Sequence, residues 1–476
     1  MFARLRPSIL LFLGLTVVYH ANLRPIDASD SLPASLVPFS VALDHSITLD
    51  RFDPWLRANV WYAPAILRRA HGHTFSSYPI GSALLISPFY LPAAAFGLTR
   101  WDPGALVVLA RIAQKFAAAA LAALSAVLLW LLLQRIVTVR WAWILTLVYA
   151  LGTETWSISS QALWQHGGAE LTLVAAFLCF DIWSENHGRA LWLWLCGASV
   201  GAAFIVRPTN LVLVPAILAA MLVARATPGQ YLRLLAPIAL CGLLIAGYNQ
   251  YVFQNLSGGY AVSLLTGSTI AGLAGIFLSP GRGLLIFTPV AIFALYAFAP
   301  AAAPARRKRP ALLTAAVVFV LLDSFAIGRA VIWWGGYSWG PRLLTELAPP
   351  LVILMAMGVA AIGRPWPRRV FAALAVYSLL VQALGAFFYP NGHWDAGPPS
   401  VDMAHTARLW DWRDNPIVRT ARGGFYWEPY AVVGAALTGG FSAAQSRMRE
   451  LNVNPFEQAQ PKVPTRKPSR RNPGLP

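Results

Sequence analysis

The residues best suited to chemistry cluster in one polar stretch, from Asn22 to about Leu98, within an otherwise apolar chain. Asp27, Asp30, Asp44, Asp50 and Asp53 lie there, followed by HGHTFSSYP (71–79). Asp27 and Asp30 fall within eight residues of the end of the first apolar run, which sets them at a membrane rim. A carboxylate at a water–lipid boundary can have its proton affinity tuned by partial desolvation and act as a general base. The same residues could solvate the loop, and Asp30 ahead of Ser31-Leu32-Pro33 could begin a helix. His71 and His73 form H-x-H without a third ligand at useful spacing, so no metal site is assigned, although a divalent metal stays open. Tyr78-Pro79 ahead of an apolar run marks a helix start or a substrate-facing turn.

Further along, Glu154, Gln165, His166 and Glu170 flank the mouth of an apolar run, and ionisable groups there are functional candidates. Trp156 and Trp164 in the same stretch suit interfacial anchoring. Arg207, Arg282 and Arg342 each adjoin Gly or Pro at the end of an apolar run, where a guanidinium can hold phosphate through paired hydrogen bonds or snorkel to headgroups. In WWGGYSWGPR (333–342), Trp334 and Tyr337 offer flat faces for a sugar ring or isoprenoid tail, with glycines allowing close approach. Asp323, inside an apolar run, needs a buried partner, for which Arg329 or a backbone amide is expected.

The elements that must position these groups are helices in lipid. The composition is 57% hydrophobic and only 12% charged, and mean hydropathy is +0.56. That places the chain among all-α polytopic membrane proteins. Eleven runs approach the ~20 residues a spanning helix needs: 7–22, 108–133, 141–155, 168–184, 190–206, 210–225, 232–251, 284–300, 311–328, 343–362 and 370–388. Gly81–Leu98, short and interrupted by Pro88 and Pro92, reads as an interfacial helix. The apolar run from Ser8 to Tyr19 follows Arg4 and Arg6 but lacks a small-residue cleavage site, so it reads as an uncleaved first span. The three cysteines lie in apolar runs and imply no disulfide framework.

Charge sets the expected orientation. Arg135, Arg140, Arg189, Arg225, Arg233, the run Arg306–Arg309, Arg364, Arg368 and Arg369 fall in alternate connections, which puts them and the N-terminus in the cytoplasm. The polar and aromatic motifs then all fall on the outer face. A net charge of +18 dispersed in this way speaks for membrane topology and against nucleic-acid binding. The expected organisation is a transmembrane domain over 1–390 with a first outer loop at 22–104, an outer segment at 391–446, and a basic disordered tail at 447–476. Residues 430–444 leave two arrangements open: a twelfth span returning the tail to the cytoplasm, or a tail outside.

One span, a long acidic outer loop, SSYPIGSALL (76–85) and Arg111 in ALVVLARIAQKF (105–116) together resemble the GT-C superfamily of membrane glycosyltransferases. The likeness is to the set related to protein O-mannosyltransferases and aminoarabinose transferases, and RPTNL, SPGRGLL and WWGGYSWGPR resemble an uncharacterised bacterial branch. The likeness spans about residues 7–390. The superfamily's adjacent acid pair is replaced by Asp27 and Asp30, three apart, and its Pro-Pro turn by Tyr78-Pro79-Ile80. The resemblance implies a polyprenyl-phosphate sugar donor, an acceptor glycan, lipid or protein, and an inner-membrane enzyme acting on the outer face. It also implies Asp30 or Asp27 as base and an outer-face Arg, one of Arg207, Arg282 and Arg342, on the phosphate; from their own types and positions, His166, Glu154, Tyr78, Trp334 and Tyr337 are expected to line the substrate site. A transporter or flippase of a lipid-linked substrate, or a non-catalytic scaffold binding polyprenyl lipid, are the competing expectations.

Overall fold

The computed structural model describes residues 2–185, 189–259, 265–389, 394–397 and 399–451. The expected disorder of the tail beyond Leu451 lies outside them. The protein is an all-α polytopic membrane protein, and each of the eleven apolar runs is helical. Five helices are long and apolar enough to cross a bilayer: Pro103–Leu133, Gln165–Glu185, Pro228–Phe253, Pro310–Gly328 and Pro365–Phe387. A sixth candidate is the pair Pro289–Phe298 and Pro300–Lys308, bent by 71° where Pro300 opens the second member. The other expected spans form shorter apolar helices, and in one of them the 3-10 turn Pro208–Val212 precedes Leu213–Val223. Glu428–Glu450 is helical with a break at Gly440, and it is not among the helices apolar enough to cross.

Small residues decide how close the helices come. A Cβ on Gly197 would lie 2.2 Å from the Leu234 carbonyl oxygen, and one on Gly201 would lie 2.7 Å from Cys241. The Ala190–Val206 helix therefore packs directly on the backbone of Pro228–Phe253. The opposite side of that second helix exposes Leu232, Leu240, Leu243 and Leu244, as a lipid-facing surface does.

The first loop has its own core. Leu36, Val37, Phe39, Leu49, Phe52, Leu56 and Ile66 pack on Leu106, Val107 and Ala110, the opening turns of the Pro103–Leu133 helix. That helix, 31 residues or ~46 Å long by its rise per residue, therefore extends from the bundle into the loop layer. Gly81–Ile86 is a short helix followed by 3-10 turns, and it exposes Phe89, Leu91 and Phe96. The loop also folds an antiparallel hairpin, Leu67–Ala70 with His73–Ser76, that lies outside the helical pattern expected for the chain. His71 and Gly72 both have positive φ, +50° and +80°, and so form its two-residue turn.

Candidate functional site

Two charged layers lie toward opposite ends of the bundle. At the end rich in basic loops, Arg309 pairs with Asp181 and, at 2.5 Å, with Glu185; Arg135 Nε donates to Asp181 at 2.6 Å. Arg111 and Arg135, 24 positions apart, are ~36 Å apart by helical rise. The first loop and the polar motifs therefore lie a bilayer's thickness from this clamp.

At the loop-bearing end, the two early aspartates take different partners. Asp27 receives Nε and Nη2 of Arg111 at 2.7 and 2.8 Å, and Gln114 Nε2 at 3.1 Å. Arg111 and Gln114 stand three apart on one helix face, so a single carboxylate spans both. Trp164 fixes the approach to Asp27, its indole N–H donating to the Ile26 carbonyl at 2.9 Å. Trp164 is buried, and so is Trp156 against Phe387; neither is the interfacial anchor expected from sequence, because each fills the bundle interior.

Asp30 begins the Ser31–Asp44 helix, but its side chain makes no capping bond. Its Oδ2 instead accepts from Arg342 Nη1 at 2.9 Å. Arg342 is held by Nη2 donating to the Gly335 carbonyl at 2.7 Å and by the Trp164 ring, 4.5 Å from its Cζ. Asp30 Oδ1 and Arg342 Nε are both buried without a hydrogen-bond partner. Tyr78 is half-buried beside this pair; burial, then the Asp30 charge, raises its phenol above the usual range. Burial also raises Tyr62, on which Asp27 and Asp30 both act.

A second buried cluster adjoins Arg342. Glu346 accepts from Arg207, and His166 Nδ1 lies 2.9 Å from it. Glu346 is absent from the site expected from sequence, although an acid inside the apolar run 343–362 is a readable signal. Asp323 is fully buried within electrostatic reach of Arg207 and Glu346, and neither oxygen has a hydrogen-bond partner. The expected Asp323–Arg329 pair does not form: Arg329 donates to the Leu265 carbonyl at 3.2 Å and Thr269 Oγ1 at 3.4 Å.

Other expected site residues stand apart. The Arg282 guanidinium is 1% exposed and spent on protein acceptors: the Trp334 carbonyl at 3.2 Å, Gly281 at 2.9 Å, Gly336 at 3.3 Å, and the Asp395 carboxylate. It anchors the tryptophan-rich turn and offers no open fork to a phosphate. Burial raises the Asp395 carboxyl, against the pull of Arg282 and of the Tyr389 hydroxyl that donates to it. Trp334 is buried in that layer, whereas Tyr337 is exposed. Glu154 is buried in a separate network, accepting from Thr288 Oγ1 at 3.0 Å and Gln382 Nε2 at 3.2 Å.

His71 and His73 diverge. His71 stacks on Tyr251, and His73 Nδ1 lies 2.7 Å from Asp50. An open cleft of about 550 Å³ lies beside them, lined by Asp50, Asp53, Arg69, His71 and Thr74 among others. Among the described residues, no group of three or more His, Cys, Asp or Glu could hold a metal ion.

The fold and this layered charge define a multi-pass membrane protein with a buried polar layer under a structured loop. No protein-family model matches the chain, and no curated protein does. Among solved structures it is similar to ArnT from Cupriavidus metallidurans, crystallised with undecaprenyl phosphate, at 13% identity and a TM-score of 0.48, over 94% of this chain and 75% of that one.

Proposed function

We propose that the chain is a GT-C-type glycosyltransferase that moves a sugar from a polyprenyl-phosphate donor to an acceptor hydroxyl on the extracytoplasmic face. The observation that carries this reading is the Asp30–Arg342 pair, which holds one lone acceptor atom and one lone donor atom on adjacent half-buried side chains. Asp27, gripped by Arg111 and Gln114, is the positioning acid, and Asp30 is the base.

In one displacement, Asp30 Oδ1 takes the proton of the acceptor hydroxyl as its oxygen bonds to the anomeric carbon. The bond from that carbon to the phosphate oxygen breaks, and the electron pair leaves with polyprenyl phosphate. Arg342 stabilises the departing charge, and the anomeric configuration inverts. Tyr78 bounds the same space. The competing reading, a flippase, draws on Asp323, a deep acid without a hydrogen-bond partner.

Vesicles carrying wild type, Asp30→Asn or Asp27→Asn, supplied with polyprenyl-phosphate sugars, test the proposal. Loss of transfer in Asp30→Asn with native expression supports it, and full transfer in Asp30→Asn removes this residue from the chemistry.

A further inference from the structure

Five Lys and Arg side chains are buried among the described residues: Lys115, Arg207, Arg282, Arg309 and Arg408. The four arginines each meet a carboxylate, Glu346, Asp395, Asp181 and Asp414 respectively. Lys115 meets none. Its Nζ donates to Gln161 Oε1 at 2.6 Å, a neutral oxygen already shared with Asn22 Nδ2 at 2.7 Å. Gln161 cannot turn away, because its own amide donates to the Trp156 carbonyl at 2.7 Å and Ser160 Oγ at 2.9 Å.

Two further basic side chains lie near Lys115, one of them, Arg24, also within reach of the Glu428 and Asp27 carboxylates. Lys115 acts electrostatically on His20 and is itself acted on by Arg24. His20 Nε2 is buried without a partner. Arg24 spends Nη2 on the Tyr389 carbonyl at 2.7 Å and faces the Tyr426 ring at 4.3 Å. Lys115 thus lies within electrostatic reach of two further basic side chains at the end of the first helix, beside Pro103–Leu133. Isolated buried charge costs several kcal/mol unless it is compensated, and neutral acceptors do not compensate it.

We infer that Lys115, Arg24 and His20 form an anion-binding subsite for a phosphate group, separate from the Asp30–Arg342 pair. The phosphate is a second one, not the group that departs beside Arg342; that it belongs to a lipid rests on the proposed function, and the call for an anion rests on Lys115, buried against a neutral oxygen, and on the unpartnered His20 Nε2. Phosphate suits the site because it accepts several hydrogen bonds at once and can join an ammonium, a guanidinium and the Nε2–H of a protonated imidazole, His20 Nδ1 already donating to the Thr16 carbonyl at 2.7 Å.

The test uses the full chain in phosphatidylcholine nanodiscs and reads ligand-induced thermal stabilisation with farnesyl monophosphate, inorganic phosphate and farnesol. Wild type is stabilised by a phosphate-bearing probe and not by farnesol. Stabilisation by both phosphates at equal concentration identifies a free-phosphate site; stabilisation by farnesyl monophosphate alone identifies a lipid phosphate. Lys115→Met weakens the effect about tenfold or more, the worth of a lost charge-assisted hydrogen bond, and Lys115→Arg retains most of it. Without ligand, Lys115→Met melts no lower than wild type, since a buried unpaired charge has been removed. Equal phosphate affinity in Lys115→Met and wild type overturns the inference, as does a lower unliganded melting point with unchanged affinity, the mark of a structural lysine. Sugar transfer by wild type combined with normal phosphate binding by Lys115→Met defeats only this inference. Absence of transfer from every donor, with phosphate binding dependent on Lys115, defeats only the proposed function.

Discussion

Asp30 and Arg342 stand 312 positions apart in sequence and 2.9 Å apart in space. Their ion pair ties the start of the first loop to the end of the tryptophan-rich turn. Replacing Asp30 with Asn keeps the side-chain shape and removes the proton acceptor. Sugar transfer from a polyprenyl-phosphate donor is expected to fall about 10²–10⁴-fold, the usual worth of a positioned base, as measured by initial rates in vesicles.

Arg342→Gln removes the charge opposite a leaving phosphate. The expected loss is about 10²–10³-fold in kcat, similar to loss of one oxyanion donor, with a smaller change in KM. A change confined to KM would instead make Arg342 a ground-state ligand.

Asp27→Asn acts through the fold. It leaves the Arg111 guanidinium, mostly buried, without its carboxylate. The expected destabilisation is about 3–5 kcal/mol, read as a lower melting temperature in detergent. The double variant Asp27→Asn with Arg111→Met is expected to recover part of it, since neither charge is then stranded.

Asp50 gives a pH dependence. Burial opposes its ionisation, but hydrogen bonds from His73 and the Thr74 amide outweigh that and hold its carboxyl below the usual range. An acid with a lowered folded-state pKa contributes stability that is present above its unfolded value, ~3.9, and lost as pH falls through the folded one. Amide exchange in Leu67–Ser76, corrected for intrinsic rates, should therefore rise as the solution is acidified to pH ~3.9 and below. Asp50→Asn should show the faster exchange already at neutral pH.

The membrane class was legible in the sequence because apolar run length is a local quantity, and every run proved helical. Span lengths were less so: the run 284–300 folds as a short helix and 3-10 turns, with a bend of 71° where Pro300 opens the next member. Asp27 and Asp30 could be picked out by their distance from the first run, but not told apart. Their partners, Arg111 and Arg342, are set by packing between distant segments. Arg282 was attractive as an isolated outer cation, and only the fold brings Asp395 to it. Glu346 and Lys115 were visible as charges inside apolar runs, a signal that outranks most loop residues in lipid.

The Pro103–Leu133 helix holds Asp27 through Arg111 near one end, and just past its other end Arg135 grips Asp181. One unbroken rod thus terminates in an ion pair on each side. Displacing that helix strains both attachments at once, so the two charged layers are mechanically linked by a single lever.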